Sequence, residues 1–401
     1  MLKFEFRNKQ FYPLMLLLFA FLRKCVEIIL NFHPYKESVN FLKIFLIFFS
    51  QSLIGFIINL FYSPKTTQRK SPHTQTSISF RRFYQSNNSR LKKIVLIIFT
   101  SFFNFVGSII RSNDVINFGK KEDNNSQLEV RVRSVQIIIS SLICYFTLRL
   151  NIYKHQILSL IFILFFLIII IIIELFISFD ILIKILSLLI CAMSCLSRAF
   201  MDVTEKYLFD YDYINIFKML IHEGNIGTLL YLIYFLCHKT YQKQGRNLLK
   251  DMSEFDWSFI SFIFLIILFI IFSGLRNAYR VSTNKYYSPM SRALIESTLD
   301  PFVFLYNCLS NNNEKDIKFW AYFGIIIFCL TIISFFSLVY NDFIILYCCG
   351  LERNTYREIT RRLYLDSNDI IQELRNDTEP QMMIDENGEV YSEDANIKNK
   401  K

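Results

Sequence analysis

The stretch QILSLIFILFFLIIIIIIELF, residues 156–176, decides the fold class of this chain. It is apolar almost from end to end over about 20 residues, the length that a helix needs to cross a hydrocarbon core about 30 Å thick. The stretch therefore predicts a transmembrane helix. Comparable stretches recur along the chain, which is typical of a polytopic membrane protein.

Ten such segments can be delimited between residues 11 and 350. The chain is 53% hydrophobic and only 19% charged, a balance outside the usual range of soluble domains. We therefore predict an all-α integral membrane protein with ten transmembrane helices. The predicted spans are residues 12–31, 41–62, 91–110, 133–150, 156–176, 181–208, 225–241, 257–277, 292–310 and 319–346.

The fourth and ninth spans are short and moderately polar, and each is opened by an arginine, Arg133 or Arg292. An unusually polar segment at the same place in two halves of a membrane protein indicates an internal repeat whose interface lines a substrate site. The order of segments predicts two five-helix repeats, residues 1–176 with a cytosolic loop at 63–90, and residues 177–350. A chance similarity in the order of segments is the alternative.

The net charge of +10 comes mainly from basic residues in loops beside apolar segments. Retention of positive loops in the cytosol explains this placement, so nucleic acid is not an expected partner. If the N-terminus is cytosolic, ten spans place the C-terminus and the basic loop 63–90 in the cytosol as well. The sequon at Asn124 is then lumenal, whereas the one at Asn87 is cytosolic and unmodified.

Cysteines and histidines carry little functional signal. No cysteines are paired as CxxC, and most are expected to be small buried residues: Cys144, Cys191, Cys195, Cys237, Cys308 and Cys329. No histidines stand at HxxxH or HExxH spacing, and no GxSxG or glycine-rich phosphate loop occurs. We therefore expect no enzyme activity, no metal site and no cofactor.

Residues 351–401 differ in composition from the spans. Residues 351–375 are predicted to form a basic amphipathic helix on the membrane surface, and residues 366–401 to be largely disordered. This tail could bind a cytosolic partner or be an inert solvated end. The other expected partners are the lipid bilayer and a small-molecule solute, and a homodimer is possible.

Charged residues within the spans are expensive in a bilayer and usually face a bundle interior. The sixth span carries Arg198, Asp202 and Lys206 at four-residue spacing, with Glu205 alongside, and we predict that these charges pair with each other. The alternative is that this stretch is where the helix enters water. The ninth span repeats the spacing with Arg292, Glu296 and Asp300, and the eighth ends with Arg276 and Arg280 on one face.

A substrate site is predicted around the ninth span. The break at Ser288 and Pro289 makes Arg292 and Lys285 candidates to bind an anion, with Glu296 nearby and Arg133 as the counterpart in the first half. The alternatives are structural pairing or contact with surface phosphates, and for Arg133 an ordinary basic rim. Tyr340 and Asn341 form a polar patch in the tenth span, for either a ligand contact or an interhelical hydrogen bond.

Several motifs together resemble the drug/metabolite transporter superfamily, and within it the solute carrier 35 branch of nucleotide-sugar-transporter-like proteins, closest to its F-type members. The resemblance covers roughly residues 91–341. It is carried by five stretches: RSVQI at Arg133, LRLNIYKHQ at Leu148, EKYL at Glu205, HEG at His222, and STNKYYSP at Ser282 followed by RALIE at Arg292.

The resemblance implies two inverted five-helix repeats that exchange a solute across an endomembrane of the Golgi, ER, lysosome or vacuole by alternating access. It also implies that Lys285 and Arg292 meet the phosphates of a nucleotide. The long charged loop 113–129 and Asn104 depart from the family pattern. We therefore expect a transporter of a polar or anionic metabolite, a class that includes nucleotides and nucleotide sugars. A transport-inactive membrane scaffold or receptor is the alternative.

Overall fold

The computed structural model describes residues 2–4, 11–61, 88–112, 130–148, 153–177, 181–212, 214–237, 257–310, 317–347, 351, 382–384 and 390–392. Most of these residues are helical. The helices in this part of the chain are α1 (Phe11–Phe32), α2 (Lys36–Phe61), α3 (Asn88–Ser112), α4 (Val135–Ile143), α5 (Lys154–Ile177), α6 (Ile181–Asp210), α7 (Ile216–Cys237), α8 (Trp257–Tyr286), α9 (Pro289–Ser297), α10 (Asp300–Ser310) and α11 (Ile317–Tyr340).

The outer surface of the helix bundle is apolar. On α5, Ile157, Ile161, Phe165, Ile168 and Ile172 follow one another along a single helical face, and all are exposed. An uncovered apolar stripe of this length is unfavourable in water and is what a bilayer accepts. Eight of the described helical segments, those of α2–α8 and α11, are long and apolar enough to cross a membrane. The protein is therefore a multi-pass, all-α membrane protein.

The number ten stays a prediction, because two of the expected spans lack the length or composition of a simple transmembrane helix. Helix α1 is long enough, with 22 residues, but it carries Arg23, Lys24 and Glu27. The ninth span, expected as one helix over 292–310, consists of α9 and α10, separated by a turn at Thr298 and Leu299.

Local chemistry explains this break. The hydroxyls of Ser297 and Thr298 donate to carbonyls three residues earlier in α9, each at 2.7 Å, and so compete with the helical ladder. Pro301 then follows at the second position of α10, where its missing amide is tolerated because the first turn of a helix offers no carbonyl to it. The fourth span is irregular too, because α4 continues as a π-helical segment, Cys144–Leu148.

Two expected boundaries were wrong for one reason. The seventh span begins at Ile216 rather than residue 225, and the eighth runs to Tyr286 rather than ending at residue 277. Glu223, Arg280 and Asn284 lower the hydropathy of the helical turns that contain them. Low hydropathy favours a loop when only the sequence is considered. The structure buries these side chains against one another, so the helices continue through them.

The helices pack in a regular order. Helix α1 packs on α8, α3 on α6, α2 on α7, and α5 on α11, while α2 also contacts α8 and α3 also contacts α7. The α2–α7 contact is very close, because a side chain at Gly224 or Gly227 would overlap Ser52 or Phe48. Glycine at these two positions therefore allows α2 to approach α7.

Short strands join the two ends of the helical region. Strand β1 (Leu2–Phe4) pairs antiparallel with β2 (Ile344–Leu346), which follows α11. In the tail, β3 (Met382–Ile384) pairs antiparallel with β4 (Val390–Ser392), so the expectation of disorder is wrong for these residues. The loops 63–87 and 113–129 and the expected surface helix after Leu351 lie outside the described residues.

The described cysteines are all free thiols. Cys144, Cys191, Cys195, Cys308 and Cys329 are buried, as expected. Cys237 is exposed at the end of α7, so the expectation of burial is wrong there.

Candidate functional site

Asp202 of α6 lies at the centre of a buried group of charged side chains. Its carboxylate, 0% exposed, forms an ion pair with Arg292 of α9 and accepts a hydrogen bond from Gln136 Nε2 of α4 at 3.0 Å. Arg280 Nη1 of α8 is 3.9 Å away. The sixth-span charges therefore do not mark a helix entering water, as one alternative held; they mark the place where α4, α6, α8 and α9 meet. The prediction that these charges pair with each other is wrong for Asp202, because its partners reach it from other helices.

A second set of contacts lies one turn further along α6. The Arg280 guanidinium lies between two carboxylates, with Nη1 2.7 Å from Glu205 Oε1 and Nη2 donating to Glu223 Oε2 at 2.6 Å. Asn284 of α8 donates to Glu205 at 2.8 Å, and Gln51 of α2 donates to Glu223 at 2.6 Å. These contacts tie α2, α6, α7 and α8 together.

On the other side of Asp202, Glu296 of α9 is held by two arginines. Arg276 of α8 forms an ion pair with Glu296 Oε1, and Arg292 Nη2 is 3.5 Å from Glu296 Oε2. The charges of Arg133 and Arg198 also act on this carboxylate. Glu296 is therefore surrounded by cations from α6, α8, α9 and the start of the fourth span.

Arg133 joins the fourth span to the broken ninth span. Its Nη1 donates to Asp300 Oδ1 at 2.7 Å, and Asp300 is the first residue of α10. Arg131, two residues earlier, is buried and paired with Glu174 of α5. These arginines therefore form ion pairs inside the bundle, which is not the basic rim that one alternative held.

We call these residues the central network, and its charges balance by residue type. It contains five carboxyl groups and five guanidinium groups, so a buried charge of either sign has opposite charges in the same network. It consists of Arg133, Arg198, Asp202, Glu205, Glu223, Arg276, Arg280, Arg292, Glu296 and Asp300, with the neutral donors Gln51, Gln136 and Asn284.

The spacing of residues along each helix places the network. On α8, Arg276, Arg280 and Asn284 are four residues apart and share one face. Helix α9 begins with a capped turn in which Ser288, in an extended conformation, accepts a hydrogen bond from the Ser291 amide, with Pro289 at the first helical position. Because Arg292 and Glu296 follow on one face, both point toward α6 and α8.

Lys206 and Lys285 lie at the edge of this region. Lys206 Nζ donates to the Lys285 carbonyl at 2.8 Å and is 3.4 Å from Asp210. The Lys285 ammonium lies 5.8 Å from the centre of the Tyr286 ring, whereas Arg292 is paired with Asp202. The contacts of the two predicted anion-binding residues are thus different: Arg292 is in the network and Lys285 is at its edge.

The polar patch at the end of α11 has hydrogen-bond partners in the protein. The buried Tyr340 hydroxyl donates to Met290 Sδ of α9 at 3.3 Å, and the Asn341 amide donates to the Ser337 carbonyl at 2.8 Å. His155, at the start of α5, lies 3.1 Å from Asp342. The interhelical hydrogen bond expected as an alternative is present at Tyr340.

A separate cluster on α1 and α2 has a surplus of positive charge. Glu27 is paired with Lys43, with Lys24 at 3.1 Å and with Arg23 at 3.8 Å. The two lysine side chains are 26% and 32% exposed, so both remain accessible. Three cations surround one carboxylate, which would suit an anionic group.

Sequence reasoning missed several members of the network. Gln51 and Gln136 are single amides in apolar runs, and Glu223 was noted only as part of a motif. The signal that could have found them is their polarity at membrane depth, where an unpaired polar group is costly. Among the described residues, no group of three or more His, Cys, Asp and Glu side chains is placed to hold a metal ion.

Comparison with known proteins adds no evidence about this site. No protein-family model matches the chain, and no curated protein matches it. The resemblance to drug/metabolite transporters therefore stays a prediction from the motifs quoted above.

Proposed function

We propose that the protein is a secondary transporter of the drug/metabolite type, which moves a polar or anionic metabolite across a membrane by alternating access. One observation carries the proposal: the fourth and ninth spans, both irregular, meet at Asp202, where Gln136 contacts it from one span and Arg292 from the other. Interrupted helices at corresponding places in two halves, close to buried charges, are typical of substrate sites in transporters.

The packing order supports an internal repeat. In such a repeat, each of the first five spans is related to the span five places later in the chain. The contact of α1 with α8 then corresponds to the contact of α6 with α3, and the contact of α2 with α8 corresponds to the contact of α7 with α3. The contacts α2–α7 and α5–α11 then correspond to themselves. Both members of each pair are observed, as two related halves would require.

The network supplies chemistry for an anion. A phosphate or carboxylate of the solute would take the place of a protein carboxylate on Arg133 or Arg292, since a planar guanidinium binds either oxyanion in the same bidentate way. Side chains lining the same region would be Glu296, Tyr340 and Asn341. Lys285 would contact the solute at the edge of the central network.

Exchange of partners also gives alternating access a physical basis. Arg280 and Arg292 form ion pairs between helices of the second half, α6, α8 and α9, whereas Arg133 forms an ion pair between the first half and α10. A solute that replaces one carboxylate would weaken one of these ties and so favour a second arrangement of the two halves. Pairing of β1 with β2 puts the start of the chain and the end of α11 on the same side, as an even number of crossings requires. We propose that this side is the cytosol and that the membrane is an endomembrane.

A transport-inactive scaffold or receptor is the second candidate. The observation that favours it is the pairing within the network, where Asp202 and Arg292 are buried and neutralise each other. A scaffold would keep these pairs as permanent links between helices and would bind no solute among them.

A thermal-unfolding screen separates the two. The purified protein is tested against nucleotides, nucleotide sugars and small organic anions, and a transporter is expected to gain stability from at least one of them. A ligand present at about 100 times its dissociation constant stabilises the folded state by about 2.7 kcal/mol.

The Arg133→Gln variant is expected to lose that stabilisation, and Lys92→Gln is the control. Arg133 is partly exposed and contacts Asp300, whereas Lys92 lies at the exposed start of α3. Stabilisation of the wild type that persists unchanged in Arg133→Gln would contradict the assigned site. No stabilisation by any compound would favour the scaffold.

A further inference from the structure

Glu205 and Glu223 form a pair of buried carboxyl groups with one cation between them. Both side chains are 0% exposed, and Arg280 contacts both, at 2.7 Å and 2.6 Å. Each carboxyl group is bound by a different terminal nitrogen of this one guanidinium, Glu205 by Nη1 and Glu223 by Nη2. Two ionised carboxylates this close repel each other strongly inside a protein, and one guanidinium neutralises only one of them.

The hydrogen bonds of the pair leave a place for a proton. Glu223 Oε2 accepts from Gln51 and Arg280, and Glu205 Oε2 accepts from Asn284. Of the two remaining oxygens, Glu205 Oε1 lies 2.7 Å from Arg280 Nη1, whereas Glu223 Oε1 is buried without a hydrogen-bond partner. A proton on one of the two carboxyl groups would let it donate to the other and would remove the repulsion as well.

The surrounding charges do not replace that proton. Lys206 is directed to Asp210 and the Lys285 carbonyl, and Arg292 and Arg276 are engaged by Asp202 and Glu296. On α3, Lys92 and Lys93 bond to the Tyr207 hydroxyl and the Asp212 carbonyl at the rim. Gln51 of α2 and Gln136 of α4 are neutral. Arg280 is therefore the cation in direct contact with both carboxyl groups.

We propose that Glu205 and Glu223 share one proton, and that this pair is a proton-binding site which couples solute movement to a proton gradient. The inference rests on the proposed function, because coupling requires a transported solute. The proton is taken from water on one side and returned to water on the other, with no other bond made or broken.

Charge explains how the pair would act as a coupling device. With the proton bound, Glu205, Glu223 and Arg280 are together neutral and suited to a buried position. Loss of the proton leaves one net negative charge, which favours an arrangement of α6, α7 and α8 that admits water. Movement of these helices, which also carry Asp202 and Arg276, would change the solute site.

The first test needs no transport. Infrared difference spectra of the purified protein are recorded in ordinary and heavy water between about pH 5 and pH 9, where an unperturbed carboxyl group, with a pKa of about 4.3, is ionised. The expected result is a protonated-carboxyl band, shifted by heavy water and lost in both Glu223→Gln and Glu205→Gln. The control Asp210→Asn, at the exposed end of α6, is expected to keep the band.

Absence of the band from the wild type throughout this range would overturn the inference, whether or not the variants fold. Persistence of the band in both folded glutamine variants would overturn it too, because the proton would then be elsewhere.

The second test separates this inference from the proposed function. Sealed vesicles containing the protein are given equal solute on both sides, with and without a pH difference. Coupling is expected to drive net accumulation of solute several-fold above the level reached without the gradient, and reversal of the gradient is expected to reverse the direction. Exchange that ignores the gradient would overturn the proton site and leave the transporter intact; absence of any exchange would remove both.

Discussion

Replacement of Arg292 by leucine tests whether the central network stabilises the fold by mutual neutralisation. Arg292 is 2% exposed and contacts both Asp202 and Glu296. Removing one partner of a buried ion pair leaves an uncompensated charge and typically costs about 3 to 5 kcal/mol. The remaining contacts decide where in that range this substitution falls.

The structure indicates the lower end of the range, about 3 kcal/mol. Glu296 keeps its ion pair with Arg276, so it does not become an isolated charge. Asp202 keeps the hydrogen bond from Gln136 at 3.0 Å, but its nearest remaining cation is Arg280 at 3.9 Å. Most of the lost stability should therefore come from Asp202.

The attribution to Asp202 can be measured directly. If Asp202→Asn is added to Arg292→Leu, the uncompensated charge disappears, and the double variant should regain at least about 1 kcal/mol over Arg292→Leu alone. The free energy of unfolding is measured by denaturant titration of the purified full chain in mixed micelles. Lys92→Leu, at the exposed rim, is the control and should change it by no more than about 0.5 kcal/mol.

Two results would refute this reasoning. A loss of less than about 1 kcal/mol in Arg292→Leu would mean that Asp202 is solvated or reaches another cation. Additive effects of the two substitutions would mean that the residues do not interact in the folded protein.

Three further results are expected. Gly224→Ala should destabilise the protein by about 1 to 3 kcal/mol, because its methyl group would overlap the Ser52 backbone. Gly324→Ala in α11, where a Cβ meets nothing within 4 Å, should instead be neutral or stabilising by up to about 1 kcal/mol; equal effects at the two glycines would contradict the close α2–α7 contact. Glycan mapping should find Asn124 modified and Asn87 unmodified, and the reverse would invert the predicted topology. Lys43→Gln and Lys24→Gln together should weaken binding of an anionic detergent or lipid headgroup near α1, measured by native mass spectrometry, while unchanged binding would show that Glu27 satisfies the cluster.

The membrane class of the protein was predictable because it depends on local properties of the chain. The run at 156–176 is a span by length and apolarity alone, and α5 covers residues 154–177. The predicted helix ends were wrong at buried charged side chains such as Glu223 and Arg280, because low hydropathy does not distinguish a polar helical turn from a loop. Such a turn continues as a helix when its polar side chain is paired with a side chain of another helix. Local hydropathy carries no information about that partner.

The candidate site was predictable in part. Three-residue spacing put Asp202 and Glu205 on a common face, and four-residue spacing did the same for Arg292 and Glu296, because helical periodicity is local. The pairing of Asp202 with Arg292 joins residues 90 positions apart and needs the packing of α6 on α9. The break at Thr298 has a local signal in Pro301, which the hydropathy of the span does not reveal.

Counterflow in sealed vesicles tests the transporter assignment most directly. Vesicles reconstituted with the purified protein are loaded with an unlabelled nucleotide, nucleotide sugar or organic anion, and entry of the same labelled compound is followed against protein-free vesicles. The account predicts saturable, transient accumulation of label for at least one compound, with a marked loss in Arg133→Gln and none in Lys92→Gln. Label entry indistinguishable from that of protein-free vesicles for every compound that binds the protein would contradict it.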